Sequence, residues 1–247
     1  MKENGMILAV LQARCSSTRF PGKVLASLHG KAMILRQVER IRRSQCIDLV
    51  VVATSVDPSD DELARLLEAE DVCVRRGPLD DVVARFKLVV DEFAPSTIVR
   101  LTADCPLTDP VVIDRVISAH LESGNDYTSN TLPPTFPDGL DVECISASAF
   151  ARIIALDLEG SEREHVTMGI YGRPEVFTMG NVVQTPDLSN LRWTVDVPED
   201  LDFVRSVYQE LYDENSEFGQ SDVCGMLAMR PELNRTNHDV ARNSGSA

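Results

Sequence analysis

Arg14, Arg19 and Lys23 crowd into "LQARCSSTRFPGKVL" (11–25), directly after a short apolar run and among Ser16, Ser17 and Thr18. Three cations beside small side chains that leave backbone N–H groups accessible suit an oligophosphate, with a solvated turn as the alternative. Two carboxylates stand at later strand ends: Asp104 in "VRLTADCPL" and Asp196 in "LRWTVDVPEDL". Opposite a phosphate loop they suit Mg²⁺, which takes few carboxylates together with phosphate oxygens and water. Alternatively, each caps the helix that follows it. A third group comprises Asp138, Asp141 and Glu143 in "PDGLDVE", with Glu164 and His165 in "SEREHVT". These could bind sugar hydroxyls, supply a metal ligand or act as a base. The competing reading is structural, because Asp-Gly is a turn dipeptide and an acid is favoured at a helix start. Neither GxxxxGK[ST] nor GxGxxG occurs in the opening loop, so a Walker-type ATPase and a dinucleotide-dependent oxidoreductase are unsupported.

The elements that must position these residues alternate regularly at first. Ile7–Leu11 reads as a buried strand, and "KAMILRQVERIRR" as a helix carrying Ile34, Val38 and Ile41 on one face. Three more strand–helix pairs follow. They are "CIDLVVVATS" with "SDDELARLLEAE", whose Ser59 and Glu62 have capping-box spacing; "VCVRRG" with "LDDVVARFKLVVDEFA"; and "TIVRLT" with "DPVVIDRVISAHLESG", closed by Gly124. This alternation predicts a parallel sheet covered by helices on both faces, with ligands at the carboxyl ends of its strands. After Gly124, "DYTSNTLPPTFPDGLDVECIS" reads as a loop or hairpin. Helices are then expected at "SASAFARIIALDL", "SEREHVTMGIYG" and "PEDLDFVRSVYQELYDE", and strands at "VFTMGNVV" and "LRWTVD". Residues 1–232 read as one domain with an irregular part at about 125–180, and 233–247 as a polar, frayed tail. His29 and His120 read as surface residues and Trp193 as core.

The formal net charge of −15 argues against a general binder of nucleic acid or of a membrane surface, both polyanions. The cationic loop is a local exception to that balance. An apolar run too short for a signal peptide, and none long enough to span a bilayer, predict a cytoplasmic protein. Six cysteines without a CxxC pair predict reduced thiols and no zinc site. Cys15 and Cys105 fall in candidate site loops and are the two that could be reactive.

Taken in order, "LQARCSSTRFPGKVL", "LTADCPLTDP", "FPDGLDVE", "REHVT" and "LRWTVDVPEDL" resemble the bacterial cytidylyltransferase family, from about residue 6 to 212. That family includes 3-deoxy-manno-octulosonate cytidylyltransferase and, nearer still, the spore coat polysaccharide biosynthesis protein F group. The resemblance implies a nucleotide-diphospho-sugar transferase fold, a Rossmann-like mixed sheet, and transfer of CMP from CTP to a sugar acid. It implies triphosphate on Arg14, Arg19 and Lys23, with Ser17 in the same loop, and Mg²⁺ at Asp104 and Asp196. It also implies cytosine and ribose between Leu11, Gln12 and Ala13 and the segment near Arg76 and Asp80. A homodimer formed through the irregular second half is implied as well. Where the better-studied sugar-acid enzymes have "PAR" and the octulosonate enzymes "GDEPL", this chain has "QAR" and "ADCPL". Another nucleotide, a sugar phosphate acceptor, or a nucleotide-binding partner without turnover are the rival readings.

Overall fold

The computed structural model describes residues 5–156 and 158–236. In chain order the strands are β1 (Ile7–Gln12), the two-residue pair β2 (Ser27–Leu28) and β3 (Lys31–Ala32), β4 (Leu49–Ser55), β5 (Cys73–Gly77), β6 (Thr97–Thr102), β7 (Tyr127–Ser129), β8 (Glu143–Ser146) and β9 (Met179–Asn181). The α-helices are α1 (Met33–Ile41), α2 (Asp61–Ala69), α3 (Val82–Phe93), α4 (Pro110–Ser123), α5 (Ala147–Ala155), α6 (Ser161–Glu164), α7 (Met168–Tyr171), α8 (Pro198–Leu211) and α9 (Gln220–Met229).

Seven strands form one sheet in the order β5-β4-β1-β6-β8-β7-β9. The four strands β5, β4, β1 and β6 run parallel, as the alternating pattern requires. β8 then pairs antiparallel with β6 and with β7, which makes the sheet mixed. Alternation along β1 sends Ile7, Ala9 and Leu11 into one apolar layer with residues of α1, α4, α8 and α9. Leu8 and Val10 enter the opposite layer with residues of α3 and α5. Helices therefore cover both faces.

Helix starts follow the local chemistry. Asp81 caps α3 by accepting from Ala84 N at 2.8 Å, and Asp109 caps α4 by accepting from Val111 N at 2.8 Å. Gly124 closes α4 at φ 63°. The expected capping box at Ser59 does not form. Asp57 accepts from Ser59 N instead, a single 3₁₀ turn intervenes, and α2 begins at Asp61.

Three further expectations change. "SEREHVTMGIYG" is divided into α6 and α7 rather than forming one helix. "LRWTVD" joins no ladder: Leu191 and Arg192 make isolated bridges, to Thr236 and Asp138 respectively. His120 is buried, with its Nδ1 3.1 Å from Thr128 Oγ1. Trp193 is core. At the start of the expected tail, Arg235 O accepts from Arg192 N at 2.9 Å; residues 237–247 lie outside the described residues.

Candidate functional site

The carboxyl ends of β1 and β6 open into a cleft of about 540 Å³. Because β8 is antiparallel to β6, its first residue reaches the same rim, and the ladder register sets Arg100 opposite Glu143. The structure brings together Gln12, Ala13, Arg14, Ser17, Arg19, Lys23, Asp104, Asp138, Asp141, Glu143, Glu164, His165 and Asp196 around this space. Leu11 does not line it and lies buried in the core. Neither Arg76 nor Asp80 is among the lining residues, and Arg76 is spent on Ser55 O, Asp57 O and the Asp61 carboxylate.

At the centre, Lys23 Nζ donates to Val195 O at 2.6 Å and to Asp196 Oδ1 at 3.0 Å, with Asp104 Oδ2 at 3.5 Å. Burial alone would lower the pKa of this ammonium, yet the two carboxylates raise it. Asp104 responds in kind: burial opposes ionisation, but Lys23 holds the acid below its ordinary range. Arg19 completes the group at 2.9 Å from Asp196 Oδ1. Neither aspartate caps a helix. The α4 cap is Asp109, and at α8 the amides of Asp196 and Val197 donate to Asp200 Oδ2 at 2.9 and 3.2 Å.

The loop carrying Asp196 is fixed from below. Arg192 is 1 % exposed and donates to Asp200 Oδ2 at 3.0 Å and Asp196 Oδ2 at 2.9 Å, with Asp138 Oδ2 at 3.5 Å. Arg235 adds a bond to Asp200 Oδ1 at 3.2 Å. The extended run 193–195 also ties the two halves of the cleft together, because Val195 N donates to Asp104 O at 2.8 Å and Trp193 N to Asp138 O at 2.7 Å. Gly139 makes this approach feasible. It sits at φ +110°, and a Cβ there would lie 2.7 Å from the Trp193 carbonyl carbon.

At the other end, Arg100 pairs with Glu143, which also accepts from Tyr127 Oη at 2.6 Å. Burial opposes ionisation of Glu143, but Arg100 and Tyr127 keep its pKa low. His165 is pushed down, mainly by burial and then by Arg100, so its imidazole is neutral at pH 7. Arg14 reaches Glu164 Oε1 at 3.1 Å. Thus the cleft cations are matched to cleft carboxylates, and an anionic ligand would compete with those carboxylates for the same partners.

The two candidate thiols are buried. Burial, and then Asp60, pushes Cys15 up to about 12, while burial and Asp104 raise Cys105 well above the ordinary thiol range. Both remain protonated and unreactive at neutral pH. Arg100, Arg192 and Asp200 were not singled out from the sequence. The available signal was a cation inside an otherwise apolar strand-like run, "TIVRLT" and "LRWTVD" alike.

The mixed seven-stranded sheet, with cations after β1 and Asp104 after β6, has the nucleotidyltransferase fold of solved structures. The cytidylyltransferase family profile matches residues 8–218, and the chain belongs to that family. It is 32 % identical to "Spore coat polysaccharide biosynthesis protein SpsF" of Bacillus subtilis, over 92 % of this chain and 95 % of the relative. A 3-deoxy-manno-octulosonate cytidylyltransferase of Anaeromyxobacter sp. is 36 % identical over 48 % of each chain. Among solved structures, a cytidylyltransferase from Leptospira borgpetersenii superposes with TM-score 0.87 at 27 % identity, covering 92 % of this chain and 95 % of that one. Rv0371C of Mycobacterium tuberculosis, solved in complex with manganese, shares the fold at TM-score 0.57 and 14 % identity, covering 81 % of this chain and 98 % of that one.

Proposed function

We propose that the protein transfers CMP from CTP to a sugar acid of the 2-keto-3-deoxy or nonulosonic type, releasing pyrophosphate, in the synthesis of a surface polysaccharide or glycan. The observation that carries this reading is the placement of Lys23 between Asp104 and Asp196, with Arg19 on Asp196 and Arg14 lining the same cleft, at the carboxyl ends of β1 and β6. The acceptor hydroxyl oxygen attacks the α-phosphorus and loses its proton, while the bond to the β-phosphate oxygen breaks. Arg14, Arg19 and Lys23 neutralise the departing pyrophosphate, and positioning with charge neutralisation supplies most of the acceleration.

The residues fit a divalent cation. The Lys23 ammonium stands where two carboxylates converge, and no three His, Cys, Asp or Glu among the described residues are grouped to hold a metal unaided. Such a site suits Mg²⁺, which shares its ligands with phosphate. Asp104 and Asp196 would hold it, and it would supply charge neutralisation at the α-phosphate and a lowered pKa for the acceptor hydroxyl. Gln12, Ala13 and Ser17 border the nucleotide. Asp138, Asp141, Glu143, Glu164 and His165 face the acceptor, where neutral His165 accepts or donates a hydrogen bond to a sugar hydroxyl.

Two wider readings accompany this one. The edge strand β9 carries exposed Met179 beside exposed Val176 and Val183, with exposed Leu132 in the loop after β7, and this apolar edge supports a homodimer formed through the irregular second half. A CTP-consuming enzyme belongs in the cytoplasm, and no helix among the described residues is long and apolar enough to cross a membrane. The test is magnesium-dependent pyrophosphate release from CTP, UTP, GTP and ATP with sugar acids and sugar phosphates, using Asp104→Ala as the blank. Release confined to CTP and a sugar acid is expected. Release with UTP or a sugar phosphate instead would overturn the substrate assignment.

A further inference from the structure

The carboxylate of Asp196 is divided between two directions. Its Oδ1 lies 3.0 Å from Lys23 Nζ and 2.9 Å from Arg19 Nη2, on the cleft side, while its Oδ2 accepts from Arg192 Nη2 at 2.9 Å. The same Nη2 donates to Asp200 Oδ2 at 3.0 Å, and Arg192 Nε donates to Asp200 Oδ1 at 3.2 Å. Arg192 thus grips one buried acid with two nitrogens and turns a further N–H toward Asp196. One oxygen of Asp196 is held from below and the other is left for the cleft.

Arg192 is itself clamped between two segments. On one side Asp138 N donates to Leu191 O at 2.9 Å and Trp193 N to Asp138 O at 2.7 Å. On the other, Arg192 N donates to Arg235 O at 2.9 Å, and Leu191 bridges Thr236. The segment supplying Arg235 follows α9 and the 3₁₀ turn Pro231–Leu233, and Leu233 packs on the apolar layer that contains Trp193. It lies beyond residues 8–218, where the family profile matches. From this strap the Arg235 side chain also reaches Asp200 Oδ1, at 3.2 Å.

Two guanidinium groups, Arg192 and Arg235, therefore meet three carboxylates, Asp138, Asp196 and Asp200. Without Arg235, the demand of Asp200 falls more heavily on Arg192. Asp200 is 1 % exposed and cannot turn to water, whereas Asp196 is 17 % exposed in its side chain and can. The bond that yields is the one from Arg192 to Asp196, and Asp196 is then free to rotate.

We propose that Arg192 and Arg235 are positioning residues for the divalent cation: Arg192 holds Asp196 so that Oδ1 points at the metal, and the strap carrying Arg235 keeps Arg192 from being drawn to Asp200. This rests on the reading of Asp196 as a metal ligand given above. Groups that orient a metal-binding side chain are commonly worth ten- to a hundredfold in metal affinity. A lysine at 192 keeps the charge, but as a single point it cannot bridge Asp196 and Asp200 together.

The test compares the full chain with Arg192→Lys, Arg235→Ala and, as the reference for a lost ligand, Asp196→Asn. Mn²⁺ is titrated into protein and CTP and followed by electron paramagnetic resonance; CTP binding without metal is measured by calorimetry. Arg192→Lys and Arg235→Ala are expected to bind metal-free CTP as the parent does, to need about tenfold or more Mn²⁺, and to regain turnover as Mg²⁺ is raised. Parent-like Mn²⁺ affinity in Arg235→Ala, whatever its melting temperature, overturns the role of the strap, and in Arg192→Lys that of Arg192. So does a loss of turnover that saturating Mg²⁺ does not restore. Should Arg192→Lys fail to fold, Arg235→Ala decides, because that side chain is a quarter exposed. Parent-like Mn²⁺ affinity in Asp196→Asn overturns the metal-ligand reading and this inference with it, while CTP binding stands apart.

Discussion

Lys23 is only 10 % exposed in its side chain, so its charge depends on the two carboxylates beside it, and theirs on it. The triad is therefore a preformed charge cluster into which a triphosphate and its cation can exchange. Replacing Asp196 by Asn keeps its shape and removes its charge. The protein should fold, and turnover should fall on the order of a hundredfold, as for other single electrostatic groups. Steady-state pyrophosphate release checks this, and an Asp196→Asn enzyme with normal turnover contradicts the role. Histidine gives a separate prediction. Burial lowers the pKa of His120 and, with Arg100, that of His165. The unfolded chain therefore binds more protons than the native one below the ordinary value of about 6.5, so stability is full above that pH and falls as pH drops through it. Melting temperature should decline from pH 7.5 to 5.5, and His120→Gln should flatten the decline. The cationic loop, Asp104 and Asp196 stood out in the sequence, because a charge directly after an apolar run has few structural uses, although only Asp104 follows a strand of the sheet. Arg192 and Asp200 did not, since their worth lies in a contact between two segments.

At the scale of elements, the antiparallel insertion of β8 between β6 and β7 brings Glu143 to the rim where the parallel strands end. The regular strand–helix alternation predicted β1, β4, β5 and β6 and the helices between them. Beyond it, the strand expected at "VFTMGNVV" contains the short β9, the hairpin expected after Gly124 contains β7 and β8, and "LRWTVD" lacks the ladder expected of it. That segment instead threads between Asp104 and Asp138, and its pairing depends on partners distant in sequence. The arginine–aspartate pair beneath Asp196 makes this region testable. Asp200→Ala leaves Arg192 buried with its main carboxylate gone, and should cost about 3 kcal/mol or more of stability. Gly139→Ala forces an L residue into φ +110° against the Trp193 backbone and should cost about 2 kcal/mol or more. Chemical denaturation of both variants measures this; a loss under 0.5 kcal/mol in either, on the order of an ordinary surface change, would show that the loop does not depend on these contacts.

For the whole molecule, the net charge of −15 coexists with a cationic rim because the cleft pairs its cations with its own acids. Such a surface repels polyanions in general yet admits one that can displace carboxylates locally. The apolar rim at β9 predicts association through the irregular half. Light scattering should give a dimer mass, and Met179→Lys should shift it toward monomer; a monomeric parent chain contradicts that surface assignment. The central claim is the transfer of CMP itself, and it is tested most directly by mass spectrometry of the products formed from CTP, Mg²⁺ and a panel of 2-keto-3-deoxy sugar acids. A CMP-linked sugar acid together with an equimolar amount of pyrophosphate is the predicted result. Free CMP and pyrophosphate with no linked sugar, or a nucleotide-linked product formed equally well from UTP, would contradict it.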